Sequence, residues 1–120
     1  MGATTLDLTF ARGDQGAEQL QAVIDEVLAE LGDPSSEAAD AARAADLNPD
    51  DVSGAAVEVR EGGQGAEPLL TTIVVGIAIH AGSKIAESLW LEVLWPRLRR
   101  RLGTRAVGEA RSRSVQGEES

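Results

Sequence analysis

The chain has 120 residues, enough for one domain with a modest core and too few for two. It has no cysteine, which excludes a disulfide framework, thiolate catalysis and a thiolate metal site; only 2% of it is aromatic, so a core must come from Leu, Ile, Val and Ala. A net charge of −9 argues against general nucleic-acid binding.

That charge is uneven. Residues 1–67 carry three Arg against fifteen Asp and Glu, whereas residues 96–113 carry seven Arg against one Glu, so an acidic body ends in a basic patch suited to a local anionic partner. The first ten residues, MGATTLDLTF, lack the basic region and long apolar core of a signal peptide, which points to the cytoplasm.

In chain order, residues 4–11 alternate, with Leu6, Leu8 and Phe10 on one side and Asp7 and Thr9 on the other, the pattern of a half-buried strand. Arg12-Gly13-Asp14-Gln15-Gly16 breaks it. Leu20, Val23, Ile24, Val27, Leu28 and Leu31 then recur at spacings of three and four, predicting an amphipathic helix with Asp14 as N-cap and Gly32 just past its end. Arg-Gly-Asp spells an adhesion tripeptide, for which a strand-to-helix turn is sufficient explanation. Ser36 is placed to cap an alanine-rich segment, residues 37–46, that has little to bury and reads as peripheral. Residues 55–61 alternate again, Val57 and Val59 inward, and predict a second strand.

Gly62-Gly63-Gln64-Gly65 reads as a hinge, since it lacks the Gly-Lys-Ser/Thr ending or G-x-G-x-x-G of a phosphate loop. Beyond it, residues 66–102 hold both tryptophans, the one histidine, the one lysine and the densest arginine cluster. Read as helix, Pro68 sits in the first turn, Leu70, Val74, Ile77, Ala81, Ile85 and Leu89 form a stripe, and Ala78, Gly82 and Ala86 form a strip of small residues open to a second backbone. Gly82-Ser83 and Pro96 then impose a kink or a helical hairpin. The β-branched residues of 71–79 suggest a buried strand as the lesser alternative to this helix. Only residues 69–82 are continuously apolar in character, short of the roughly 20 needed to span a bilayer. The tail, residues 104–120, is polar and without periodicity, which predicts disorder.

Candidate chemistry is sparse. His80 is the one histidine, so no second histidine and no cysteine shares a metal with it, and Ser83 and Ser88 lack an orienting acid for a Ser-His pair. Asp46, Asp50 and Asp51 do not have the spacing of an EF-hand loop. Arg97, Arg99, Arg100 and Arg101 after Trp90 and Trp95 match either a membrane-surface helix or a helix end whose cations complement the dipole.

The order of a strand-helix-strand module, a Gly-rich link (EGGQGAEP), an apolar stretch with an internal Gly-Ser (HAGSKIAESLW) and an arginine cluster (PRLRRRLG) resembles the effector-associated constant components of actinobacterial conflict systems. These are small companions of variable effectors, often proteases or other toxic domains. The resemblance covers residues 4–103, implies an effector as partner and carries no catalytic residue. Members of that family continue into a β-hairpin after the arginines, where this chain has its polar tail.

The expected architecture is therefore α/β: a small two-stranded β-α-β module and a long apolar helical segment at 66–102, together one domain over 1–103, then a disordered tail over 104–120. The expected function is a non-catalytic interaction module without cofactor or metal, a cytoplasmic companion or adaptor of an effector, with self-association as a further possibility and no nucleic-acid partner. Its interface is expected at Ile79, Gly82, Ala86, Trp90, Leu94 and Trp95, because tryptophan is enriched at interface hot spots. The alternative is a peripheral membrane protein whose Arg97, Arg99, Arg100 and Arg101 meet an anionic surface.

Overall fold

The computed structural model describes residues 4–52, 54–61, 72–80 and 82–116. Four segments form strands, β1 (Thr4–Arg12), β2 (Ala56–Glu61), β3 (Thr72–Ile79) and β4 (Val107–Gln116), in one antiparallel sheet ordered β2-β3-β1-β4. Between β1 and β2 lie α1 (Ala17–Leu31), α2 (Glu37–Ala44) and the single turn α3 (Pro49–Val52). Between β3 and β4 runs a helix in three parts: α4 (Ser83–Ser88), a π turn (Leu89–Leu94) and α5 (Trp95–Leu102). Because β3 is antiparallel to both β1 and β2, those two run parallel with β3 between them. This is the split β-α-β, or ferredoxin-like, connectivity.

The strand period of two decides which face is covered. Leu6 pairs with Ile77 and Leu8 with Val75, while Val57 and Val59 pair with the same two β3 residues from the other side. All six are buried, and they meet Leu20, Ile24 and Val27 of α1 and Leu89, Val93 and Leu94 of the π turn in one core. The residues between them, Thr5 and Asp7 on β1, Glu58 and Arg60 on β2, and Val74, Gly76 and Ala78 on β3, line the opposite face of the sheet.

The two-stranded module expected from the sequence is thus replaced by a four-stranded sheet, and both added strands come from segments assigned otherwise. Residues 66–102 are not one helical segment: Thr72–Ile79 is a strand, and helix begins at Ser83. β3 carries Ile73, Val75, Ile77 and Ile79 toward the core and Val74, Gly76 and Ala78 on the other face, so its sequence lacks the apolar-polar alternation that β1 and β2 keep, and a helical stripe can be drawn through it by coincidence. The tail is not disordered over Val107–Gln116, where it pairs with β1 from Thr5↔Gln116 to Arg12↔Val107 across two bulges. Its side chains beyond Gly108 are exposed where described, so its composition is that of a solvated chain, and backbone pairing rather than side-chain burial holds it. The hinge at 62–65, the helix start at Pro68, the stripe members Leu70 and Ala81 and the last four residues lie outside the described residues.

Local details also differ. Gly16, not Asp14, is the N-cap of α1, its N–H donating to Gln19 Oε1 at 3.2 Å. Glu61 at the end of β2 accepts from the N–H of Ala17 at 3.2 Å and pairs with Arg12 at 3.5 Å, bringing a carboxylate to the positive helix end. Ser35 donates its N–H and then its hydroxyl to Asp33 Oδ1, at 3.0 and 2.8 Å, which holds that carboxyl below its ordinary range. Ser36 caps α2 as expected, accepting from the N–H of Ala39 at 3.0 Å. The alanine-rich segment is not peripheral: Ala38, Ala39 and Ala42 are fully buried, their small size letting α2 lie close against α1 and the π turn.

On the outer edge of β2, the Gln21 side chain of α1 behaves like a short piece of strand. Its Nε2 donates to Val57 O at 2.9 Å, and its Oε1 accepts from Val59 N–H at 2.7 Å. Gly13 serves the other end of the sheet. A Cβ there would lie 2.3 Å from Arg105 O, in the turn where Asp14 N–H donates to that same carbonyl at 2.7 Å.

Two outcomes follow. Truncation after Gly103 removes β4 and the buried Ala106 and Val107, so the thermal midpoint falls by well over the few degrees expected of a true tail, as read by circular dichroism. Gly13→Ala forces the segments at Gly13 and Arg105-Ala106 apart at backbone atoms that have no flexible side chain to yield; it lowers the urea midpoint, whereas Gly54→Ala, with open surroundings, leaves it nearly unchanged.

Candidate interaction site

Pro96 shapes the helix that carries both tryptophans. It brings no N–H to the ladder, and in an α-helix its ring would press on the carbonyl four residues back. The turn before it is widened, with Trp95 N–H donating to Trp90 O five residues earlier. Upstream, Gly82 opens α4 with φ at +107°, a conformation that favours glycine.

All three aromatic residues of the chain stand in one row along this helix. Phe10 of β1 lies with its ring centroid 5.5 Å from Trp90, Trp90 stacks on Trp95 at 5.7 Å, and Arg99 covers the Trp95 ring at 5.7 Å. Beside the row, where β4 projects past the cover of the helices, is a cleft of about 390 Å³. Leu8, Phe10 and Trp90 form its apolar floor, Leu91 and Glu87 its helix wall, and Ala110, Ser112 and Arg113 its strand wall. Glu87 and Arg113 pair across it at 3.3 Å. Among the described residues the large apolar side chains left exposed are Leu91, at 51%, and Val115, at 41%.

The interface residues expected from the sequence fall mostly elsewhere. Ile79, Ala86, Trp90 and Leu94 are buried in the core, Trp95 is half-buried, and Gly82 is a helix start rather than a mid-helix contact. Ala78, Gly82 and Ala86 therefore form no helical strip, since Ala78 belongs to β3. The surface set is Leu91, Glu87, Phe10, Ala110, Ser112 and Arg113. A sequence signal for Leu91 existed, because it stands outside both the Leu89-Val93 and the Trp90-Leu94 steps of the buried face; nothing marked β4, whose strand was hidden by its polarity.

The arginine cluster is largely spent on the fold. Arg101 pairs with Glu26 and, at 3.2 Å, with Glu30 of α1; Arg100 reaches Glu37 of α2 at 3.3 Å; Arg97, itself buried, lies 3.9 Å from the same carboxylate. Arg99 has an aromatic ring rather than a carboxylate as its neighbour among the described residues. The basic patch thus meets the acidic helices of its own chain, and three of the four expected membrane-facing arginines point to carboxylates.

His80 is exposed in the turn after β3. Among the described residues no group of three His, Cys, Asp or Glu side chains gathers to hold a metal ion. No helix among them is long and apolar enough to cross a membrane. Comparison of the chain with protein-family models, curated proteins and solved structures finds no match.

Burial separates a core role from a docking role for Trp90. At 3% exposure it behaves as core, so Trp90→Ala costs about 3–5 kcal/mol in chemical denaturation. Arg101→Ala removes exposed ion pairs and costs under about 1 kcal/mol, a difference that shrinks at high salt.

Proposed function

We propose that this chain is a non-catalytic, cytoplasmic interaction module, the companion of an effector protein in a bacterial conflict system. The observation that carries the reading is the cleft between the π turn and β4. A chain with three aromatic residues lines them up at one place, and it leaves Leu91 exposed beside two of them. An apolar recess with a polar rim is the usual form of a protein-binding site, and an Arg-capped Trp beside it is typical of a hot spot. The resemblance carried by the Gly-rich link, the internal Gly-Ser and the arginine cluster in the sequence suggests an effector as the class of partner. The membrane alternative rests on the same helix and is weakened by the carboxylates that Arg97, Arg100 and Arg101 face.

The test is copurification with the product of the gene beside this one, expressed together. Wild type retains that product, while Ala110→Trp, which fills the cleft from an exposed strand position, loses it at an unchanged thermal midpoint. Undiminished retention by Ala110→Trp refutes the cleft as the site. Flotation of the purified protein with anionic vesicles, lost in Arg99→Glu, would favour the membrane reading instead.

A further inference from the structure

The outward flank of the composite helix carries half-buried Glu87 and Trp95 and exposed Leu91 and Arg99 at intervals of four. In an α-helix a four-residue step overshoots one revolution by about 40°, so four such positions would spiral away from one another. The π turn corrects this: bonding over five residues makes its revolution wider than four, so a four-residue step within it falls short and cancels drift accumulated outside it. The contacts agree. Glu87 and Leu91 line the same cleft wall, Trp95 stacks on Trp90 of that cleft, and Arg99 lies on Trp95. The flank is a straight row of acid, aliphatic, aromatic and cation.

That row is its own complement when reversed. Laid antiparallel on a second copy, Glu87, which also pairs with Arg113 of its own chain at 3.3 Å, meets Arg99, Leu91 meets Trp95, and both contacts recur by two-fold symmetry, the self-matching an isologous dimer requires. Arg99 is also the one arginine of its cluster that, among the described residues, faces no carboxylate of its own chain. We infer that this flank pairs with the same flank of a second copy, the Glu87 and Arg99 ends setting the antiparallel direction and Leu91 and Trp95 supplying the apolar centre. The inference goes beyond the effector reading and does not need it. Since Leu91 and Glu87 belong to both surfaces, self-pairing covers the cleft, and a cleft-bound partner must compete with it. A row of about 18 Å at 1.5 Å per residue buries little area, which places the dimer among weak, concentration-dependent associations.

Sedimentation equilibrium over a range of concentrations tests this with the full chain. Wild type shifts from monomer to dimer mass as concentration rises, and less so at high salt. Glu87→Arg and Arg99→Glu each place like charges opposite each other and weaken association at least tenfold, while an equimolar mixture of these two variants restores both attractive pairs and dimerises again. Circular dichroism melting checks each variant's fold. Should Glu87→Arg fail to fold, Leu91→Ser and Arg99→Glu, both at exposed positions, serve the same comparison: loss of dimer in both supports the pairing, and dimer retained in both overturns it. A wild type that stays monomeric throughout, or folded single variants whose mixture stays monomeric, overturns the pairing. A monomeric wild type that still retains the neighbouring gene product overturns the pairing alone and leaves the effector reading in place.

Discussion

Eight residues of β1, from Thr4 to Ala11, pair without interruption with eight of β3, from Ile79 to Thr72. That ladder is the constraint on which the other elements depend. It places Leu6 and Leu8 beside Ile77 and Val75 as the centre of the covered face, gives β2 and β4 an edge each to join, and leaves room above for two helical layers side by side. On the far side Gly76 stands opposite Asp7, and a Cβ there would lie 2.9 Å from Asp7 Oδ1. The close approach of carboxylate to backbone at the middle of the ladder makes the register costly to shift, since a one-residue slip would also turn every core residue outward.

The core of the N-terminal half was readable because its elements are amphipathic. Leu6, Leu8, Val57 and Val59 alternate and Leu20, Ile24 and Val27 repeat at helical spacing, and each is buried; Phe10 and Leu28 are packed at the margin. Two elements were not readable, for opposite reasons. β3 is apolar or small on both faces, so periodicity could not separate strand from helix. β4 is polar on both faces, so it could not be separated from disorder. The candidate site inherited these errors. With β3 taken as helix, Ile79 and Trp90 had to share a surface; with β4 absent, the cleft had no second wall. What remained legible was the importance of the tryptophans and arginines, which divide between two settings: Trp90 is buried and Arg97, Arg100 and Arg101 face carboxylates of α1 and α2, while Trp95 stays half-buried under the exposed Arg99.

The ion pairs of α5 show how the uneven charge of the chain is used. Glu26 and Glu30 on α1 and Glu37 on α2 face Arg101, Arg100 and Arg97, so the acidic first half and basic second half meet where the two helical layers join. Each exposed pair contributes little alone. Their placement acts on specificity: reversing the packing of α5 would bring arginines together and leave acids facing one another across α1 and α2. The Pro96-linked π turn adds a second restriction, because it sets which residues of the same helix look inward before and after it.

The Gln21 amide that occupies the outer edge of β2 has a consequence for how copies of this chain can assemble. A sheet with two open edges can add copies at both ends and grow without limit, as fibrils do. Here Val57 O and Val59 N–H are already engaged from within, so a strand arriving at β2 finds its positions taken. The middle of the β2 edge is thereby blunted against strand addition, which works against open-ended growth through both edges at once.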